Sequence, residues 1–297
     1  FPIDPFLVES DIAPVGRDAG KFADGLTEWR PAATETGLTQ PPKVLIEANG
    51  YEAALEKMNR VFLTNSWGDG LPLNPPTTER VQWILNGSDL PADEVIGKVM
   101  PRGGIATVET LAVSLVMAGG RPEYLPVLIA AINGVLDPGL EHDKFQSTSA
   151  SNFPVVIVNG PIAAAIRLNS GFGLLGPDPQ HPAGVVIGRA LRLVQQNVGG
   201  ALPGIGTMSI FGANRTTNAV FAEDEDGLPE GWETVSAEHG GAPRGANAVT
   251  VFVGTGATNI VRRGVGKETA EEEAVQSLRR VASYLRNDCI HYIQAHA

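Results

Sequence analysis

The chain of 297 residues has a single cysteine, Cys289. That excludes an intramolecular disulfide and a cysteine-rich zinc site, and it suits a reducing compartment, so a cytoplasmic location is expected. Basic residues are also in short supply: 22 Lys and Arg stand against 33 Asp and Glu, for a formal net charge of −11. Such a field repels phosphate backbones and anionic lipid, and the longest basic runs are the pairs Arg262-Arg263 and Arg279-Arg280. Neither nucleic acid nor a membrane is therefore an expected partner. No apolar stretch approaches the roughly 20 residues that cross a bilayer. The opening Phe1-Pro2-Ile3-Asp4-Pro5-Phe6 lacks the basic-then-apolar order of a signal peptide and has no initiator Met, as in a processed or trimmed chain. Metal-ligand spacing is missing too: His142, His181, His239, His291 and His296 form no His-x-His or His-Glu-x-x-His pair.

What the chain does have is enough apolar residue for a sizeable core, 43%, and many defined turns, with 35 Gly and 22 Pro. That combination suits a loop-rich enzyme scaffold, with a large binding protein as the alternative. Residues 1–43 show no periodicity and read as an extended N-terminal arm, packed through Phe6, Phe22 and Trp29. Residues 44–297 read as a single domain, with 223–247 as a surface loop or lid. A short strand is expected at 43–47, helices over 51–63 and from Thr77, and a strand at 94–99. Thr107 caps a helix over 108–118, and Pro122 starts another through Leu136. Both are apolar on every side, which marks them as buried. A continuous apolar run at 153–158 reads as a buried strand feeding a helix over 162–168. A helix over 183–197 and strands at 218–223 and 248–253 follow. A capping box at Thr269–Glu272 opens a last helix with Cys289 on its apolar stripe. The expected fold is α+β, with short strands around two buried helices and without the regular alternation of a doubly wound sheet.

Two segments hold charge at rigid glycine turns: Ser66-Trp67-Gly68-Asp69-Gly70-Leu71-Pro72 and Gly119-Gly120-Arg121-Pro122-Glu123-Tyr124. Charged groups at such joints are what a polar ligand site requires. Arg102, between a strand and a helix, and Arg121 can grip an anion in bidentate fashion. The alternative is that they simply pair with Glu109 and Asp69. Asp69, Glu109, Glu123 and His239 are the candidate proton carriers. The hydroxyl-rich Gln146–Asn152 segment, with Ser149 at its centre, and Asn159 and Asn169 at element ends would orient a substrate; ordinary turn chemistry explains them equally. No metal site is assigned, although Glu223, Asp224, Glu225 and Asp226 form either a solvated acidic loop or an oxygen-rich site. Gly254–Asn259 and Gly264–Thr269 are incomplete nucleotide turns, the first lacking a third glycine and the second having Glu268 after the lysine.

The motifs Asp69-Gly70-Leu71-Pro72, Thr107-Val108-Glu109, Met117-Ala118-Gly119-Gly120-Arg121-Pro122-Glu123-Tyr124, Asn159-Gly160-Pro161, Ile187-Gly188-Arg189-Ala190 and Phe221-Ala222-Glu223 resemble a functionally uncharacterised bacterial family. That family is associated with small thiol- or selenol-bearing proteins that carry a UGSC motif. The resemblance spans roughly residues 50–255 and implies a partner that supplies redox or nucleophilic chemistry. It also implies cysteine as a frequent residue at position 120, where this chain has glycine, which weakens a thiol mechanism here.

Taken together, these features lead to the expectation of a soluble, homo-oligomeric enzyme acting on a small polar, anionic metabolite, of lyase or hydrolase type, with the cofactor unknown. The alternatives are a non-catalytic subunit or scaffold for a small thiol or selenol protein, and, third, an NAD(P)-linked oxidoreductase using the turn at Gly254.

Overall fold

A computed structural model describes residues 13, 16–28, 43–150, 152–209 and 219–254, with positions 272, 275, 276, 278, 279 and 282 of a helix beyond them. The chain divides into two units, residues 1–44 and 45–297. In the first, Ala19–Thr27 form helix α1 within the segment expected to be extended; none of its residues is buried. The nucleotide-like turns after Gly254, the capping box at 269–272 and Cys289 lie outside the described residues.

The second unit mixes helices with short strands, as the sequence pattern predicts. It opens with α2 (Tyr51–Asn65) and α3 (Thr78–Leu85), the latter capped by Thr77, whose hydroxyl accepts from Arg80 N. An antiparallel hairpin follows, β1 (Val95–Val99) and β2 (Gly104–Thr107). It leads straight into α4 (Val108–Met117). The start of α4 is closed reciprocally: Thr107 N donates to Thr110 Oγ1 at 2.8 Å and Thr110 N donates to Thr107 Oγ1 at 3.3 Å. A single 3₁₀ turn, Pro122–Tyr124, introduces α5 (Leu125–Leu136), and α6 (His142–Ser147) follows.

Strand β3 (Phe153–Asn159) is buried along its whole length. It is the centre of a three-stranded sheet, parallel to β4 (Val220–Ala222) on one side and antiparallel to β5 (Ala248–Gly254) on the other. Both faces of a central strand must be covered, which is why its sequence is an unbroken apolar run. Between β3 and β4 lie α7 (Pro161–Ala165) and α8 (Ala183–Leu193); α9 (Val235–Gly240) precedes β5.

The core is built on α4, α5 and α8. Leu111 and Leu115 of α4, Leu125 and Leu128 of α5, and Ile187 of α8 are fully buried. The two all-apolar helices are central, as expected, and α8 joins them. Three local differences have physical causes. Residues 43–48 form no strand, because β-rich residues without a pairing partner have no ladder to join. Helix α7 stops at Ala165, and Arg167 then takes a left-handed φ of 56°. Helix α8 widens after Leu193 into a π turn, Val194–Val198. Among the described residues no helix is long and apolar enough to cross a membrane.

One buried histidine ties the hairpin to α6. His142 is buried, and its Nε2 accepts from Met100 N at 2.9 Å. Burial pulls its pKa below the usual 6.5, with Asp143 opposing weakly. The unfolded chain therefore binds a proton more readily than the native one. This contribution to stability is present above pH 6.5 and is lost as the pH falls through the folded value. Urea midpoints should drop between pH 7.5 and 5.5 in the wild type and drop less in His142→Gln; equal drops would remove His142 from the acid sensitivity.

Candidate functional site

Helix α2 ends in a left-handed cap at Ser66, with φ 57°. Trp67 N donates back to Phe62 O at 2.9 Å, and the Trp67 and Phe62 rings pack edge to face. The chain then reverses through Gly68–Gly70. Asp69 Oδ1 accepts from Leu71 N at 3.1 Å, closing an Asx turn. Asn59 pins the exit of the turn: its Oδ1 accepts from Leu73 N at 2.8 Å, and its amide donates to Leu73 O and Leu55 O. The turn is therefore rigid before any ligand arrives.

Helix α8 braces the same turn. Arg189 Nε donates to Asp69 Oδ2 at 2.7 Å and its Nη2 to Asp69 Oδ1 at 3.0 Å, with a further bond to Pro72 O at 2.9 Å. Gln196 Nε2 donates to Gly68 O, and Asn197 Nδ2 to Trp67 O at 2.9 Å. Residues 189 and 196 are seven apart, so they share one helix face. Asp69 feels two opposed influences. Burial raises its pKa, and the Arg189 hydrogen bonds and charge outweigh that, holding it below the usual 3.8.

Between these braces lies Arg192, only 4% exposed. Its Nη2 donates to Ala201 O at 2.8 Å. No carboxylate lies within ion-pair distance of it among the described residues, because Asp69 is taken by Arg189. Burial lowers its pKa to about 10, with Asp69 pulling the other way, so it is a cation at neutral pH. The next turn carries Gln195, 1% exposed, whose Nε2 has no acceptor. A buried guanidinium without a directly bonded carboxylate is costly, and π turns of this kind recur at functional sites.

Arg102 approaches the same segment from the hairpin tip. Its N–H donates to Gly199 O at 2.8 Å. A Cβ at Gly200, which has φ +74°, would overlap the Arg102 stem, so glycine is what allows that side chain to lie on the backbone. Its guanidinium is exposed and makes no ion pair among the described residues. Arg102 and Arg192 thus flank residues 199–201. In front of Gln196 and Leu202 opens a pocket of about 290 Å³, whose other walls are the α2 end and the Asp69 turn.

The other candidate residues lie elsewhere. Arg121 pairs with Glu123 at 3.3 Å on the surface, with side chains 61% and 47% exposed. Such a pair contributes little to stability. The pairing of Arg102 and Arg121 with Glu109 and Asp69, considered from the sequence, is replaced by Asp69–Arg189 and Arg121–Glu123. The two glycine turns approach each other at Asn74, whose N–H donates to Met117 O at 3.2 Å. Glu109 lies exposed at the opposite end of α4, about 15 Å along a ten-residue helix. Ser149 lies exposed in a bend, and His239 lies exposed in the last turn of α9. Asn169 shapes its own loop: its Oδ1 accepts from Gly171 N at 2.9 Å and its Nδ2 donates to Phe172 O. At Gly120 an added Cβ would overlap Leu115, so a thiol there would need Leu115 to move.

Asn159 is the hub of a second polar cluster, at the carboxyl ends of β3 and β4. Its Nδ2 donates to Glu223 Oε2 at 2.7 Å and to Glu225 Oε1 at 3.0 Å. Glu225 also accepts from Gly160 N and Gly245 N, and Glu223 from Val235 N. Burial raises the Glu225 pKa, but the Asn159, Gly160 and Gly245 donors and Arg244 together hold it below the usual 4.5. Glu223 and Glu225 are thus drawn inward, and Asp224 and Asp226 point to solvent. No three His, Cys, Asp or Glu come together to hold a metal among the described residues. The 223–247 segment is stitched to the sheet by these carboxylates.

Sequence reasoning did not single out Arg189, Arg192 or Gln195 as site residues. The available signal was two arginines three residues apart inside an otherwise apolar helix, where a buried cation demands an explanation. Comparison of the chain with family models, curated proteins and solved structures finds no match.

Proposed function

We propose that this protein is an enzyme that binds a small anionic metabolite in the pocket between the Asp69 turn and the end of α8, and transforms it by lyase or hydrolase chemistry. The observation that carries this reading is Arg192, a cation that is 4% exposed and has no carboxylate partner among the described residues. Arg192 stands behind the pocket wall, bonded to Ala201 beside Leu202, and its positive field favours an anion in the pocket. Arg102, exposed on the same segment, steers the anion toward it in a protein whose net charge of −11 would otherwise repel it. Asp69 serves this site as a fixed anion that orients Arg189, since an acid held below its usual pKa is a poor proton acceptor. Proton transfer, the shared need of lyases and hydrolases, falls to a group that the ligand brings close.

The test is to incubate the purified protein with a bacterial metabolite extract and follow depletion and products by mass spectrometry. An anionic metabolite should be consumed, and Arg192→Gln should slow its consumption at least about tenfold, the equivalent of about 1.4 kcal/mol of lost charge attraction. Consumption of no anion, or equal rates in a folded Arg192→Gln protein, would remove the proposal.

A further inference from the structure

The two edges of the three-stranded sheet differ. β4 forms one edge with only three residues, Val220–Ala222, whereas β5 forms the other with seven, Ala248–Gly254. Strand β3 shows which way the backbone groups of β5 point. Val156 N donates to Ala219 O at 2.8 Å, and Val158 O accepts from Glu223 N at 3.1 Å, so both residues turn their backbone groups toward β4. Val155 and Ile157 therefore turn theirs toward β5, where Phe252 and Thr250 stand opposite and bond them. Val249, Val251 and Val253 are left with their N–H and C=O groups directed away from the sheet. None of these groups has a partner among the described residues.

Such a row templates another strand unless charge, proline or a bulge blunts it. Residues 245–254 contain no charge and no proline, and the register with β3 is unbroken over seven pairs. Val249, Val251 and Val253 pack their side chains on the main core, and Phe252, on the opposite face, is 44% exposed. A second copy of the chain does not fit this edge. A side chain at Gly134 of α5 would stand 2.6 Å from Val251 Cγ2, so α5 lies directly over β5. A twofold copy would set its own β5 about 4.8 Å away and its α5 at about that distance from this one, well inside the roughly 8–10 Å that packed helices need.

We infer that the free edge of β5 docks an extended peptide of a partner protein, which joins the sheet as a fourth strand through backbone hydrogen bonds. Uncharged β-branched and aromatic residues suit it, packing beside Thr250 and Phe252. A charged residue there would be desolvated against a strand that offers no counter-charge. No residue of this edge lines the Asp69 pocket.

Amide exchange by NMR on the whole chain tests the edge, with a fluorescein-labelled heptapeptide of alternating threonine and valine as the probe. In the free protein the amides of Val249, Val251 and Val253 should exchange at least about tenfold faster than those of Thr250 and Phe252, which β3 holds. The probe should bind saturably at one site per chain by fluorescence anisotropy and slow exchange at the same three alternate amides at least about tenfold. Methylating two adjacent central amides of the probe, which strips a donor from each of its edges, should weaken binding at least about tenfold. Phe252→Lys, a charge at an exposed position of the edge, should do the same. Equal protection of all five amides in the free protein would mean that the edge is already covered, by residues beyond Gly254 or, if the mass in solution is doubled, by a second copy; either overturns the inference. So would a probe that fails to bind, or one that binds and leaves the alternate amides unchanged.

Discussion

Arg189→Met should lose about 3 kcal/mol of folding stability, the usual consequence of leaving one member of a largely buried ion pair alone. The pair is well made: two hydrogen bonds at 2.7 and 3.0 Å, with side chains 16% and 11% exposed. Arg189 also holds Pro72 O, so its removal frees the exit of the turn as well as its charge. Asp69→Asn should cost somewhat less, since the amide keeps a weaker acceptor for Arg189. A double variant, Asp69→Leu with Arg189→Met, should recover much of the loss, because no charge is then left unpaired. The double-mutant cycle by urea unfolding isolates the coupling. The pH dependence has a definite sign. The carboxyl of Asp69 is more acidic in the native state than in the unfolded chain, so its contribution is present above pH 3.8 and is lost as the pH falls through the folded value. The gap between wild type and Asp69→Asn should therefore close in acid. A loss below about 1 kcal/mol for Arg189→Met at pH 7 would mean that Asn59, Gln196 and Asn197 hold the turn without the ion pair.

Asn159→Asp is expected to cost about 3 kcal/mol or more at pH 8, through a like charge placed among carboxylates in a buried site. Asn159 is 1% exposed, and its one amide nitrogen serves both Glu223 and Glu225. The substitution exchanges that shared donor for a third acceptor. Repulsion then raises the carboxyl pKa values of the folded variant above their unfolded values, and stability is lost as the pH rises through them. The penalty should accordingly be smaller at pH 5 than at pH 8, opposite to the trend at Asp69. Because Glu223 and Glu225 also hold Val235, Gly160 and Gly245, hydrogen exchange should quicken in α9 and in the 243–247 turn before the core opens. Equal urea midpoints for wild type and variant at pH 8 would show that the carboxylates rearrange without cost.

Much of the fold was legible because its signals are local. Thr107 followed by Thr110, the apolar runs at 108–117 and 125–136, and the unbroken apolar β3 each declare a cap, a buried helix or a buried strand through their own neighbours. The 43–47 segment misled because strand propensity is realised only with a partner edge. The π turn after Leu193 was invisible because Val194–Val198 fits an α-helix equally well until Gly199 and Gly200 meet the hairpin tip.

The site shows the same division. By itself the sequence determined that Asp69 stands in a rigid glycine turn and that the net charge disfavours nucleic acid; these follow from residue type and the immediate neighbours. It placed Arg102 between a strand and a helix, whereas the unread strand Gly104–Thr107 makes it the tip of a hairpin. Tertiary structure alone decided that Asp69 belongs to Arg189, 120 residues away, that Asn159 gathers carboxylates from 64 and 66 residues on, and that Arg192 is left buried near Asp69 with no carboxylate within ion-pair distance among the described residues. The reason is physical. Charge pairing and burial depend on which groups share a low-dielectric space, and that is set by the packing of α8 across the chain.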